Sequence, residues 1–207
     1  MNTFSLGFLR QSLIDRSAFI YHGAGIAKGV GNQQTNDLPF LDRLRNVMDH
    51  DLEICCSTVR EGDSEVDRDF WGKIGLILWP RSPNSITLVS EKDAGTTPDP
   101  NRPGRRVIPR EPVTAQALIN SIDQRPENTA NEWCLLDYEV KGIFVEPPIQ
   151  YNEHDELKEL KLPQVFEEFP NWRVYAFYYG SLREILPSAQ WGALVSIAEL
   201  YPSGKCI

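Results

Sequence analysis

The segment SAFIYHGAGIAKGVG, Ser17 to Gly31, decides the fold prediction, because an apolar stretch leads into one histidine and then into four glycines. The residues 18–22 are apolar and aromatic, which predicts a buried strand ending near His22. Glycine lets a ligand approach the main chain closely, so a glycine-rich loop at a strand end suits a binding site. Two interpretations remain open: His22 faces a ligand, or it is an ordinary residue before a flexible loop.

The pattern around this strand predicts several short strands between early and late helices, which indicates an α+β fold. We expect helices at 8–16, from about Leu38, and at 114–122. Further strands are expected at 52–59, 70–79, 85–90 and 172–180, and two adjacent strands at 132–140 and 142–147 with a turn at 140–142. The patterns at 154–169 and 181–200 predict helices, broken at Pro163 and Pro187 respectively.

A chain of 207 residues is long enough for one well-buried core and short for two. We therefore expect a single domain, 1–207. Within it, residues 1–16 form an N-terminal helix, 17–147 the core sheet region, and 148–207 a C-terminal helix, strand and helical tail.

The formal net charge of -8 disfavours non-specific binding to nucleic acids or to anionic membranes. The densest basic stretch, residues 101–110, has four arginines inside an irregular Pro- and Gly-rich excursion that runs from Glu91 to Glu111. This stretch is either a solvated loop or a small anion-binding patch. Arg105 and Arg106 are the residues that we expect to bind substrate there.

The four cysteines have no Cys-x-x-Cys spacing, and the neighbours Cys55 and Cys56 cannot easily bridge each other. Reduced thiols and no metal site are therefore expected. No leader with a basic flank or membrane-spanning apolar run is present, which predicts a cytoplasmic protein that does not enter a membrane.

Four segments carry a resemblance to a known family: YHGAG, LEICCSTVREGD with its Ser-Thr pair, FWGKIGLILWP, and ANEWCLLDYEVKGIFVEP with its Glu-Trp pair. In this order they resemble the ADP-ribosyltransferase-like fold, particularly the bacterial branch that includes DarT toxins and abortive-infection relatives. The resemblance spans residues 18–147 and rests on the order of the motifs. The pattern is mixed, since a Ser-Thr pair is closer to the branch that has Arg where this chain has His22.

The resemblance implies a split β-sheet and NAD as the substrate that is cleaved at its nicotinamide bond. Glu132 is then the catalytic carboxylate, which stabilises positive charge at the anomeric carbon. His22 is implied in catalysis and in binding the ribose, and Gly23 in binding the carboxamide through its main chain. Ser57 and Thr58 are implied at the nicotinamide side.

Two further residues, Trp133 and Glu139, are candidates beside these. Trp133 adjoins Glu132 and is expected to contact substrate. Glu139 is a rival carboxylate, ranked lower because an odd offset from Glu132 along one strand puts it on the opposite face of the sheet.

The sequence thus predicts an ADP-ribosyltransferase that modifies a nucleic acid or a protein, in a bacterial toxin, effector or phage-defence setting. Its partners would be this macromolecular acceptor and a cognate antitoxin or toxin. Two alternatives stay open: a non-catalytic acidic interaction protein of the antitoxin or immunity type, and an NAD hydrolase without an acceptor.

Overall fold

The computed structural model describes residues 2–23, 53–60, 74–91, 112–123, 131–146, 149–153, 156–178, 181–188 and 190–203. The helix expected from Leu38 and the excursion 92–111 lie outside these residues. The strands are β1 (Ala18–Gly23), β2 (Ile54–Arg60), β3 (Ile74–Pro80), β4 (Ile86–Ser90), β5 (Glu132–Leu135), β6 (Tyr138–Val145), β7 (Ile149–Glu153), β8 (Glu156–Leu160), β9 (Val174–Tyr178), β10 (Ser181–Ile185) and β11 (Trp191–Leu194). The helices are α1 (Leu6–Asp15), α2 (Ala115–Asp123), α3 (Leu162–Glu168) and α4 (Ile197–Leu200).

The described strands form one nine-stranded sheet and a separate hairpin. The sheet order is β11-β10-β9-β6-β3-β1-β2-β5-β4, and β7 pairs with β8. Every pairing in the sheet is antiparallel except that of β6 with β9. The fold is therefore a mixed α+β structure, as the order of helices and strands predicts.

β1 lies in the interior of the sheet and is covered on both faces. Its residues 18–21 are almost completely buried, which explains why they read as a continuous apolar run. On one face, Phe144 of β6 contacts the rings of Phe19 and Tyr21, at centroid distances of 5.6 and 5.1 Å. This central position puts the end of β1 beside β2 and β3.

The chain near α4 is anchored to the same two central strands by a tyrosine hydroxyl. Tyr201 accepts a hydrogen bond from the Ile20 amide at 3.0 Å and donates one to the Leu78 carbonyl at 2.9 Å. Ile20 and Leu78 are partners in the β1–β3 ladder, so the hydroxyl bridges two main chains. Burial raises the pKa of Tyr201, which keeps this hydroxyl a donor.

The expected turn at 140–142 is wrong, because β6 continues through these residues, with only a register shift against β3 between Val140 and Gly142. Gly142 serves close packing instead: a Cβ there would lie 2.3 Å from Cε2 of Tyr175. The chain turns at 136–137, and β5 and β6 are not neighbours, since β2 and β4 flank β5. Glu139 and Glu132 therefore lie on different strands.

Two expected helices are also wrong in part. Residues 156–160 form β8, and only 162–168 are helical, with Pro163 in the first turn, where no amide hydrogen is needed. In the expected helical tail, residues 181–185 and 191–194 form β10 and β11, which extend the sheet. Leu182 and Ile185 are both buried in β10, and their spacing of three residues also fits a helix.

Candidate functional site

The sheet opens between β1 and β2, next to His22. The β1–β2 ladder ends at the pair Tyr21 and Ser57. Beyond this pair β1 continues to Gly23 against β3, whereas β2 continues to Ile54 against β5. We call this opening the β1–β2 split; its sides are residues 22–23 and residues 54–56.

His22 is held across the β1–β2 split by the main chain of β2. Its Nδ1 lies 2.6 Å from the carbonyl oxygen of Cys55, and a carbonyl only accepts, so Nδ1 carries the hydrogen. Burial lowers the pKa of His22, against the opposing effect of this hydrogen bond. In the neutral ring Nε2 is then an acceptor.

Cys55 also connects this opening to Glu132. Cys55 lies opposite Cys134 in the β2–β5 ladder, and the two sulfur atoms are 3.7 Å apart. The pKa of the Cys55 thiol is raised above its ordinary value, first by Cys134 and also by Glu132. The Cys55 and Cys134 sulfurs and a Glu132 oxygen all lie within 4.8 Å of one another. This group, the Cys55–Glu132–Cys134 cluster, was not expected from the sequence.

Three of the residues that the resemblance implies at one site, His22, Ser57 and Glu132, do not all leave the sheet on the same side. Cys56 pairs with Trp133, so the neighbouring residues Ser57 and Glu132 point to the other face together. Tyr21 pairs with Ser57, and His22, one residue on, begins on the face opposite to it. His22 therefore does not share a face with Glu132; it contacts the carbonyl of Cys55, whose sulfur lies within 4.8 Å of a Glu132 oxygen.

Ser57 and Thr58 are buried and bind Asn131, which precedes β5. The Asn131 side-chain oxygen accepts from the Ser57 hydroxyl at 2.5 Å and from the Thr58 amide at 2.9 Å. Its Nδ2 donates to the Thr58 hydroxyl and to the Ser121 carbonyl, both at 2.6 Å. These residues, expected to bind the cofactor, thus fix the start of β5 and with it Glu132.

Trp133 lies in the core rather than at a substrate surface. Its side chain is completely buried, and the indole nitrogen donates to the Ser121 hydroxyl of α2 at 2.9 Å. A stacking contact needs an exposed ring face, so the expected substrate contact is not supported at this residue. Its neighbour Glu132 is also buried, with 5% of its surface exposed.

Gly23 ends β1 and lies opposite Gly75 of β3. At Gly75 a Cβ would lie 2.1 Å from the His22 carbonyl oxygen. Only a glycine at this position therefore allows β3 to lie so close to His22. The two remaining predicted site residues, Arg105 and Arg106, lie outside the described residues.

Sequence reasoning missed Asn131, Cys55 and Cys134. Cys55 and Cys134 gave no signal by spacing, because the residues that meet are 79 positions apart in the chain. Asn131 carried one weak signal, its place directly before the Glu-Trp pair. Only the strand register shows that the two cysteines face each other.

Comparisons with protein-family models, with curated proteins and with solved structures find no match to this chain. Among the described helices, none is long and apolar enough to cross a membrane.

Proposed function

We propose that this chain is an ADP-ribosyltransferase-like protein that uses NAD to modify a nucleic acid or a protein. The observation that carries the proposal is that the motifs lie on adjacent strands, although His22 leaves the sheet on the face opposite to Ser57 and Glu132. His22 and Gly23 end β1, Ser57 and Thr58 lie in β2, and Glu132 begins β5; these are three adjacent strands. The ladder between the first two ends beside His22, which is consistent with the split sheet that the resemblance implies.

The proposed reaction breaks the bond between nicotinamide and the anomeric carbon of the ribose. The bonding electrons leave with nicotinamide, and an acceptor atom forms the new bond to the same carbon and loses its proton. Positive charge develops on the ribose before the new bond is complete. The protein must hold an anionic group near this charge and bind the leaving amide.

Glu132 suits the first of these tasks. It is almost fully buried, and a carboxylate in a water-poor site stabilises a developing positive charge more strongly than one in water. The contacts of Asn131 with Ser57 and Thr58 fix the main chain immediately before it. Such pre-organisation avoids rearrangement during the reaction.

Gly23 suits the second task, and His22 suits the binding of the ribose. The hydrogen bond from His22 to the Cys55 carbonyl fixes the ring and leaves Nε2 to accept from a ribose hydroxyl. Gly23 exposes main-chain groups at the β1–β2 split without a side chain, which suits pairing with a carboxamide.

The test is nicotinamide release from NAD by wild type, Glu132→Gln and the control Glu139→Gln. The control makes the same change at an exposed carboxylate of β6. The proteins are first treated with a chelator and a thiol reductant, and the assay contains DNA, RNA and protein mixtures with adenine-labelled NAD. We expect Glu132→Gln to lower turnover about 10²–10³-fold with NAD affinity nearly unchanged, and Glu139→Gln to match wild type.

The other outcomes separate the alternatives. Nicotinamide release without label on any macromolecule indicates an NAD hydrolase. Wild type that neither binds NAD nor releases nicotinamide overturns the proposal and favours an acidic interaction protein. Equal turnover in wild type and Glu132→Gln removes Glu132 from the reaction.

A further inference from the structure

We propose that Cys55, Cys134 and Glu132 bind a single Zn²⁺ ion. Two cysteine sulfurs and one carboxylate oxygen are ligands that zinc accepts, and the three atoms already lie within 4.8 Å of one another. The register of β2 against β5 creates this arrangement. Cys55 and Cys134 are directly opposite each other, and Glu132 is two residues before Cys134, on the same face of the sheet.

The distance between the sulfurs agrees with zinc. With Zn–S bonds of about 2.3 Å in a tetrahedral site, two sulfur ligands lie roughly 3.8 Å apart. The Cys55 and Cys134 sulfurs are 3.7 Å apart, so the ion needs no movement of the strands to bind both. A carboxylate oxygen can close the remaining gap by rotation of the Glu132 side chain.

The surroundings of the cluster also suit a metal. Cys134 and Glu132 are buried, at 3% and 5% exposure, whereas Cys55 is exposed and provides a path for the ion. Second contacts hold the ligand strands in place: His22 binds the Cys55 carbonyl, and the Thr87 hydroxyl lies 3.3 Å from the Cys134 carbonyl. Three protein ligands leave a fourth position of a tetrahedral ion for water.

Binding replaces two S–H bonds by two Zn–S bonds, and the two protons go to solvent, with no change in oxidation state. If the proposed transferase reaction is right, zinc would also bind the Glu132 carboxylate that the reaction needs. Zinc would then inhibit nicotinamide release. This consequence rests on the proposed function, whereas zinc binding does not.

The binding test uses Co²⁺, which reports thiolate ligands by its absorption spectrum. Reduced, metal-free protein is titrated with Co²⁺ alone and then with Zn²⁺, in the absence of NAD. For wild type we expect one equivalent of Co²⁺, sulfur-to-cobalt charge-transfer bands and tetrahedral visible bands, all removed by one equivalent of Zn²⁺. Cys55→Ser and Cys134→Ser should each weaken binding by at least about tenfold and reduce the charge-transfer intensity.

Two control variants keep this test specific. Cys56→Ala removes a buried thiol that contacts the Trp133 carbonyl on the opposite face, and Cys206→Ser removes a thiol outside the described residues. Both should retain the cobalt spectrum of wild type. Because Cys55 is exposed, Cys55→Ser provides a variant that keeps its fold, as checked by circular dichroism.

Two results would overturn the zinc site. These are the absence of thiolate bands in reduced wild type, and bands that persist in both Cys55→Ser and Cys134→Ser. Zinc binding without any nicotinamide release leaves the site intact and counts against the transferase. If bound zinc does not change nicotinamide release, only the predicted inhibition by zinc is wrong, and the zinc site stands.

Discussion

Asn131 binds Thr58 twice, because its side-chain oxygen accepts from the Thr58 amide at 2.9 Å and its Nδ2 donates to the Thr58 hydroxyl at 2.6 Å. The same amide group also binds the Ser57 hydroxyl and the Ser121 carbonyl. One side chain thus joins β2, the start of β5 and the helix α2. All of these groups are buried, so they depend on Asn131 for partners that water would otherwise supply.

Asn131→Ala is therefore expected to lower the free energy of unfolding by roughly 2–4 kcal/mol, since several buried polar groups lose their partner at once. Urea unfolding measures this change. The control is Asn120→Ala in α2, whose contact with Gln116 is exposed and should be worth less than about 0.5 kcal/mol. Equal effects of the two substitutions would contradict a structural role of Asn131.

The prediction from sequence succeeded where one local pattern decides the structure. The apolar run 18–22 required a strand that is covered on both faces, and β1 is such a strand. The spacing of apolar residues gave α1 and α2 in the same way. The structure confirms these elements, and the prediction succeeded because the apolar residues that form each pattern are the ones that the fold buries.

The prediction failed where pairing between distant segments decides the structure. Gly142 reads as a turn residue, but Tyr175 lies where its Cβ would be, so the glycine is required inside β6. Leu182 and Ile185 fit a helical face, yet residues 181–185 pair with β9 instead. The Cys55–Glu132–Cys134 cluster depends on the same long-range register, which no local pattern contains.

Tyr201→Phe removes the hydroxyl between the Ile20 amide and the Leu78 carbonyl. Both main-chain groups belong to buried residues, and we expect a loss of about 1–3 kcal/mol in the free energy of unfolding. Tyr201→Leu should cost more, because the ring also contacts Trp79 at a centroid distance of 4.7 Å. If Tyr201→Phe is as stable as wild type, the bridge does not contribute.

The ion pair of Arg173 with Glu184 should make stability depend on pH. Both contacts of the pair are 2.9 Å long, and the guanidinium holds the pKa of Glu184 below its ordinary value of 4.5. The folded protein therefore binds fewer protons at Glu184 than the unfolded chain does. The stabilisation is fully present above about pH 4.5 and is lost as the pH falls through the lower, folded pKa.

The corresponding measurement compares wild type with Glu184→Gln by urea unfolding between pH 3 and pH 7. The pair is partly exposed, so we expect a difference of only about 0.5–1 kcal/mol at pH 7, which decreases below pH 4.5. High salt should reduce it as well. A difference that does not change with pH would mean that the carboxylate charge is not responsible.

Gly75→Ala tests how closely β3 approaches the β1–β2 split. The added Cβ would lie 2.1 Å from the His22 carbonyl oxygen and 2.5 Å from Cε2 of Tyr21. A main-chain oxygen cannot rotate away as the end of a long side chain can, so β1 and β3 must separate. We expect a loss of about 3 kcal/mol or more in the free energy of unfolding, and a shift of the His22 ring resonances in the NMR spectrum.

Gly7→Ala is the matched control, because its Cβ would meet nothing closer than Ser5 Oγ at 3.7 Å and alanine favours the helix α1 by up to about 1 kcal/mol. If Gly75→Ala were instead as stable as Gly7→Ala, with unchanged His22 resonances, then β3 would not hold His22 at the opening, and the position of His22 would depend on its contact with Cys55 alone.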